Sequence, residues 1–523
     1  MITRFFACLV LVCACGKPDA LNQPNDATPA FADTGSVLEL DSGAADATAR
    51  LDADRMDSAR APDVVIRDAQ RRDQQLDDAM IVDAGVLGLG SPDTGIEDSG
   101  HLDAGVPDAV ADSGPPDAAV DAGLSFGCGA YPRTCRDRDQ WSPGLDEHFM
   151  TTTTGCSFGL VPPTDADWQQ GRARALNLAT RMGGAVRLST LLRDLNRQGR
   201  SSITNRNATR LRNHQWQGWI WNEGDNEVSY WYPQGMTGSS DATESATHDG
   251  RRLQLISWYH KTDARPTKGV RVSLADRTDP QDVDYRHLLL VVPYGDGNAV
   301  NYRPLHKSLT DTDALHAGGM VWYGNYLYVA DTRNGFRVFD MSLIARTSNT
   351  NDTGSFGRDG NVTHAFGYRY IVPQVARYDA PEQACNLSYS FVSLDRSSTP
   401  HALLAGEYKS RSIQGRLVHY LLDEQTHRLQ VREGVIRGQD AKMGAQTKMQ
   451  GALRWQNNYY ISSSSQWNTY GRLYRTRPGR ESSISAWVYG AEDLYYDRRS
   501  GVVWTPAEFP NFRDVVGIPL REP

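Results

Sequence analysis

Bulky and polar residues alternate in three short runs within 316–341 (HAGGMVWYGNYLYVADTRNGFRVFDM). Met320-Val-Trp-Tyr stops at Gly324-Asn325, Tyr326-Leu-Tyr-Val-Ala alternates up to a turn over 331–335, and Phe336-Arg-Val-Phe alternates again. A period of two broken by turn residues predicts strands joined in a meander. So small a sheet cannot bury its apolar faces alone, so neighbouring copies are expected. The same form recurs at 253–259 with 269–274, at 402–408 with 415–421, at 459–464 with 471–476, and at 501–506 with 513–518, where Arg513 stands in place of the glycine that opens the other third strands. Five copies at irregular spacing predict an all-β fold, a β-propeller of about five blades with insertions in its loops.

Fourth strands are expected at 285–292, 368–373, 429–434 and 484–489. The last copy has no room for one, so another segment must cover its edge. Trp219-Ile-Trp or Val228-Ser-Tyr-Trp can close the ring; the alternative is a sixth, degenerate blade from 216–231. Ahead of the propeller the pattern over 162–213 turns helical. Thr164 or Asp165 can cap a helix with Trp168, Ala175, Leu178 and Met182 near helical spacing, and Gly183-Gly184 stops it. A second short helix is expected over 186–195, with Leu188, Leu191, Leu192 and Leu195 on one face, and both are expected to cap or brace the propeller.

The N-terminal third changes the picture from a fold to an exported, tethered fold. A basic residue, Arg4, precedes the apolar run Phe5-Phe-Ala-Cys-Leu-Val-Leu-Val, the layout of a secretory signal. Leu11-Val-Cys-Ala-Cys15 resembles a bacterial lipobox, which implies lipidation at Cys15; the alternative is an ordinary secretory signal. Residues 16–127 are rich in Asp, Ala, Gly, Ser and Pro, with 23 acidic and 7 basic residues, net −16. So little apolar surface cannot offset the entropy of ordering, and a disordered tether is expected. Residues 128–523 carry 40 acidic and 47 basic residues, net +7, so the acidity of the whole chain belongs to the tether. The organisation expected is a lipoprotein signal at 1–15, a tether at 16–127, a partly helical, disulfide-containing segment at 128–215 and the propeller at 216–523. In an exported chain Cys128, Cys135, Cys156 and Cys385 are disulfide candidates. Cys128 with Cys135 and Cys156 with Cys385 is the favoured pairing of three. Their spacing does not suit zinc, and no metal or cofactor is expected. The only membrane contact expected is through the lipid anchor, on the outer surface of a bacterial membrane, unless the protein is secreted. Arg206, Arg210 and Arg212 form a basic cluster on a solvated surface, and no nucleic-acid partner is expected for an exported chain.

A second element precedes the copies: Trp231-Tyr-Pro-Gln-Gly-Met-Thr, His316-Ala-Gly-Gly-Met-Val-Trp, Lys448-Met-Gln-Gly-Ala-Leu and Ala491-Glu-Asp-Leu-Tyr-Tyr. With Ser239-Ser-Asp-Ala and Tyr328-Val-Ala-Asp-Thr, these motifs resemble a group of uncharacterised secreted bacterial β-propeller proteins over roughly 218–519. The resemblance implies fold and export, and no chemistry.

Innermost strands line a propeller's channel, which gathers Gln234, His316, Gln450, Glu492 and Asp493 near one mouth, with Lys448 beside them. Such a set can hold a metal or act as acid and base; polar groups at these positions more commonly bond neighbouring blades and channel water. Loops between second and third strands place Tyr259, Asp331, Glu407, Tyr408 and Trp467 at equivalent positions, a mix of aromatic, amide and charged groups suited to a glycan or protein surface. No nucleophile elbow, zinc-protease, P-loop or dinucleotide motif occurs. The leading expectation is an extracytoplasmic propeller that binds an envelope or extracellular protein or glycan. The alternative is a propeller hydrolase or lyase acting on a carbohydrate or lactone at the channel mouth.

Overall fold

The computed structural model describes residues 148–153, 158–263, 265–381, 387–464 and 469–520. The lipidation and disulfide candidates Cys15, Cys128, Cys135, Cys156 and Cys385, the tether, and Trp467 lie outside them.

Five four-stranded antiparallel units follow one another along the chain, and the outer strands of the first two also pair in parallel, Ile371 to Pro373 with Leu289 to Val291, so that these two share one larger sheet. Blade 1 runs Trp231–Gly238, Leu253–His260, Val270–Asp279 and Asp282–Tyr294. Blade 2 is Met320–Tyr323, Tyr326–Asp331, Gly335–Asp340 and Tyr370–Asp379. Blade 3 is Phe391–Asp395, Ala402–Gly406, Arg416–Leu421 and Gln439–Met443, and blade 4 is Met449–Trp455, Asn458–Ser463, Arg472–Arg477 and Arg480–Ala486. Blade 5 takes Tyr495–Asp497, Val502–Pro506 and Asp514–Pro519 from the end of the chain, and its outer strand from Gln217–Ile220. The register Val515 to Trp219 and Val516 to Gly218 fixes this closure. The open edge is thus covered by the first of the two segments expected, and 216–231 builds no sixth blade.

The ring closes through its innermost strands. A Cβ on Gly235 of blade 1 would come within 2.8 Å of Gly319 of blade 2, and one on Gly319 would collide with Val392 of blade 3. Ser393 of blade 3 donates to the Ala452 carbonyl of blade 4, and Gly451 of blade 4 lies against Asp493 at the start of blade 5. Asp493 in turn accepts from the Met236 amide of blade 1. Side chains between adjacent sheets form five separate apolar clusters, one for each pair of blades. Most stabilisation by burial therefore resides between blades rather than within them.

The N-terminal segment belts the outside of the ring. Thr151–Thr152 pairs with the outer strand of blade 3, Leu160 bridges Ile436, and Val161 bridges Asp379 of blade 2. The helix Asp165–Arg181 then lies along the outer strands of blades 2 and 1. Thr164 and Asp167 form a reciprocal capping box at its start. Trp168 is buried with its ring 5.1 Å from Tyr326, and Gly171 admits the Val375 carbonyl where any larger residue would collide. Arg197–Gly199 pairs with blade 1 before the chain enters blade 5. The helices therefore brace the rim rather than cap the ring.

Two expectations are corrected. The fourth strand of blade 3 is Gln439–Met443, not 429–434, because Glu433 and Gly434 take positive φ and turn the earlier segment into a small bridged loop. The helix expected over 186–195 is a single turn, Leu188–Leu191, whose continuation is drawn out to pair with blade 1.

Candidate functional site

Antiparallel pairing puts the start of each innermost strand beside the end of its second strand. The two sets of candidates therefore share one face of the ring. Tyr259 ends the second strand of blade 1, its ring 4.6 Å from His316 at the approach to blade 2 and 5.7 Å from Tyr232. The Lys448 amide, at the approach to blade 4, donates to the Lys409 carbonyl in the corresponding loop of blade 3.

The centre of this face is a buried row of carboxyls and amides. Glu492 and Glu508, 1% and 8% exposed, hydrogen-bond one another. Gln450 Nε2 donates to Glu492 Oε1 at 3.1 Å, and Gln234 Nε2 donates to Glu508 Oε2 at 3.2 Å. Blade 5 thus supplies a carboxyl pair, and blades 4 and 1 supply a glutamine to each end. Irregular pairing at Pro233/Met236 and at Met449/Gly451 marks β-bulges at both glutamines, a device that re-aims side chains. Burial, then the charge and hydrogen bond of Glu508, push the Glu492 carboxyl well above the ordinary range. Two buried carboxyls that hydrogen-bond one another resist carrying two charges, which favours the protonated form of one of them. Asp493, fully buried, is likewise pushed up by burial, against the main-chain amides of Met236, Leu494 and Met320. Its Oδ2 lies 3.0 Å from the Met236 nitrogen and 3.4 Å from that of Met320, tying blade 5 to blades 1 and 2.

Because the folded Glu492 carboxyl titrates above its unfolded value of 4.5, folding gains from its proton below that value and loses the gain as pH rises. Glu492→Gln keeps an acceptor for Gln450 and a donor for Glu508. It is expected to raise stability at pH 8 by on the order of 1 kcal/mol, with the advantage vanishing near pH 4. Urea unfolding at the two pH values checks this; equal stabilities at pH 8 would refute the upward shift of Glu492.

The remaining candidates are held differently. Asp331 is buried and takes Arg337 Nε at 2.8 Å together with Asn334. Glu407 is fully buried; burial opposes its charge, but the Arg416 guanidinium and Lys409 hold its carboxyl at about 2. Tyr408 is half-buried, its amide donating to Ser390 Oγ. Arg206, from the expected basic cluster, lies with its guanidinium carbon 3.8 Å from the centre of the Tyr489 ring, and Arg210 lies over Tyr470. The arginines opening the third strands had no role assigned from sequence. Arg271, Arg337, Arg416 and Arg513 are all buried, and each reaches back to an acidic residue's side chain or main chain: Asp225, Asp331, Glu407 and Glu508. The repeated glycine-then-arginine pattern at 269–271, 335–337 and 415–416 was the signal for it.

Blade 1 also holds a Ser-His-Asp arrangement that no motif announced. Ser273 Oγ lies 2.8 Å from His287 Nδ1, and His287 Nε2 lies 3.0 Å from Asp225 Oδ2. Trp258 Nε1 donates to the same serine oxygen at 2.7 Å, and Ser273 is wholly buried. Burial and then Arg271 bring the imidazole down to about 4, so it is neutral. With its hydroxyl occupied and sealed, the arrangement is a hydrogen-bonded strut rather than a nucleophile. Among the described residues no group of His, Cys, Asp and Glu is arranged to hold a metal ion, and no helix is long and apolar enough to cross a membrane.

Strand order and closure define a five-bladed β-propeller. No protein-family model and no curated protein matches the chain. Solved structures similar to it include the β-xylosidase RS223, at 8% identity and TM-score 0.30 over 58% of this chain and 94% of that one. A GH43_1 enzyme from Xanthomonas citri complexed with xylotriose is similar at 11% identity and TM-score 0.30, over 57% and 92%. A gluconolactonase from Xanthomonas campestris is similar at 10% and TM-score 0.24, over 62% and 85%.

Proposed function

We propose that this protein is a membrane-tethered, extracytoplasmic β-propeller that binds a protein or carbohydrate ligand on the face bearing the loops between second and third strands. One observation carries the reading: the acids and amides at the centre of that face contact one another and the main chain of neighbouring blades, with only Gln234 Oε1 and Asp493 Oδ1 lacking a hydrogen bond among their buried side-chain atoms. Glu492, Glu508, Gln234, Gln450 and Asp493 are all buried in such contacts. Around them stand partly exposed aromatic and cationic groups, Tyr232, His316, Tyr408, Lys261 and Lys448. Flat rings edged by polar groups suit stacking on a sugar or filling a hollow in a protein.

Tyr408→Ala and His316→Ala are expected to weaken capture of the ligand found by screening the full chain against envelope glycans and culture proteins. A loss of about tenfold each, with melting temperature unchanged, is the expected result; parental capture by both variants would sink the reading. Export as a lipoprotein predicts a mature N-terminus at Cys15 carrying acyl chains. Mass spectrometry of the isolated protein decides it, an unmodified terminus elsewhere being the contrary result.

The hydrogen-bonded carboxyl pair of Glu492 and Glu508 favours a second reading, a hydrolase or lyase acting on a carbohydrate or lactone, since such a pair offers an acid and a base together. In that case Glu492→Gln would abolish a turnover that Tyr408→Ala leaves measurable.

A further inference from the structure

A second concavity lies between blades 4 and 5, away from the loop face. Tyr460 sits near the start of a strand whose other end reaches that face, and Ile518 near the end of a strand that begins there. The cavity measures 320 Å³, at the lower end of the roughly 300–1,000 Å³ of small-molecule sites. Cross-strand register places Tyr460 opposite Arg475, Arg475 opposite Ser483, and Leu473 opposite Ser485. These five side chains line the cavity together, and Ile518 forms the opposing apolar wall. Asn213 and Gln215, in the segment leading into the closing strand, add amides at its rim.

Arg475 sets this cavity apart from the other interblade contacts. Arg271, Arg337 and Arg416 each meet a buried carboxylate. The half-buried Arg475 hydrogen-bonds the Tyr460 hydroxyl, and among the described residues no carboxylate pairs with it. The lining therefore presents a guanidinium and a phenol, two serine hydroxyls and the amides of Asn213 and Gln215, beside the apolar surfaces of Leu473 and Ile518. A carboxylate bound to Arg475, hydroxyls reaching Ser483, Ser485 and the amides, and a C–H face resting on Leu473 and Tyr460 would satisfy all of them at once.

We propose that this interblade cleft binds a hexuronic acid, free or at the end of an acidic glycan. The site is separate from the loop face, so it stands whether or not that face binds a ligand. Isothermal titration of the full chain with D-glucuronate is expected to show saturable binding, with D-glucose at least about tenfold weaker because it lacks the carboxylate. Arg475→Gln should cost about tenfold or more, and Ser485→Phe, which fills the cleft, should abolish binding without changing the melting temperature. Should Arg475→Gln fail to fold, Ser485→Phe decides alone. Absence of saturable glucuronate binding, equal binding of glucose, or parental affinity in Ser485→Phe overturns the proposal.

Discussion

Asp225→Asn is expected to destabilise the folded chain by about 3–5 kcal/mol, the usual cost of removing one partner from a buried ion pair. Asp225 sits in the short helix Glu223–Glu227, where Asn222 caps its amide. Its carboxylate is the meeting point of Arg271 at 3.1 Å, Arg197 at 3.2 Å, His287 at 3.0 Å and the Tyr285 hydroxyl at 2.7 Å. Arg271 is 4% exposed and lies over the Trp231 and Trp258 rings, so it cannot turn to water when its counter-charge goes. Burial opposes ionisation, but the His287 hydrogen bond and the Arg271 and Arg197 guanidiniums hold Asp225 well below the ordinary carboxylate range. A folded pKa below the unfolded 3.8 means that the contribution is complete above about pH 4 and is lost as pH falls through the folded value. The parent should therefore lose stability on acidification below pH 4 more steeply than the variant. Urea midpoints from pH 3 to pH 7 test both parts; a variant with the parent's midpoint and slope would show that the cluster carries no such energy.

Local pattern accounts for most of what was legible. Alternation and turn glycines marked the central strands of all five blades, and Thr164 or Asp165 marked the start of the long helix, because each signal lies within a few residues of what it specifies. The closing strand followed from a different argument, that the last blade had an edge needing cover. Residues 429–434 misled because they alternate like a strand, while Glu433 and Gly434 bend them away. Chemistry was harder to see. Gln234 and Glu508 are 274 positions apart, and their contact depends on a bulge that alternation cannot register. Glu407 and Asp331 stood out as chemical groups at equivalent loop positions; their arginine partners, a few residues on, make them anchors of those loops. Ser273, His287 and Asp225 come from two strands and a helix of five residues, with no spacing to link them.

Trp219→Ala should destabilise the whole ring, by about 3–5 kcal/mol for the lost ring and its cavity, rather than fray one strand. Trp219 is fully buried in the strand that closes blade 5, opposite Val515. Its ring also packs on blade 1, 5.9 Å from Tyr285 and with Nε1 donating to Gln254 Oε1 at 3.0 Å, while Trp221, next along the closing segment, lies 4.4 Å away. Removing it strips packing from the fifth-to-first interface and leaves a buried amide without its donor, a further about 1–3 kcal/mol. Because each blade buries its faces only against its neighbours, weakening the closure exposes two blades at once, and the loss should appear as a cooperative shift. Native-state hydrogen exchange is the discriminating measurement. Amides of Leu253–His260 and Val502–Pro506 should lose protection together with those of Gln217–Ile220. Faster exchange confined to Gln217–Ile220, with an unchanged urea midpoint, would mean that the N-terminal strand covers an edge without holding the ring shut.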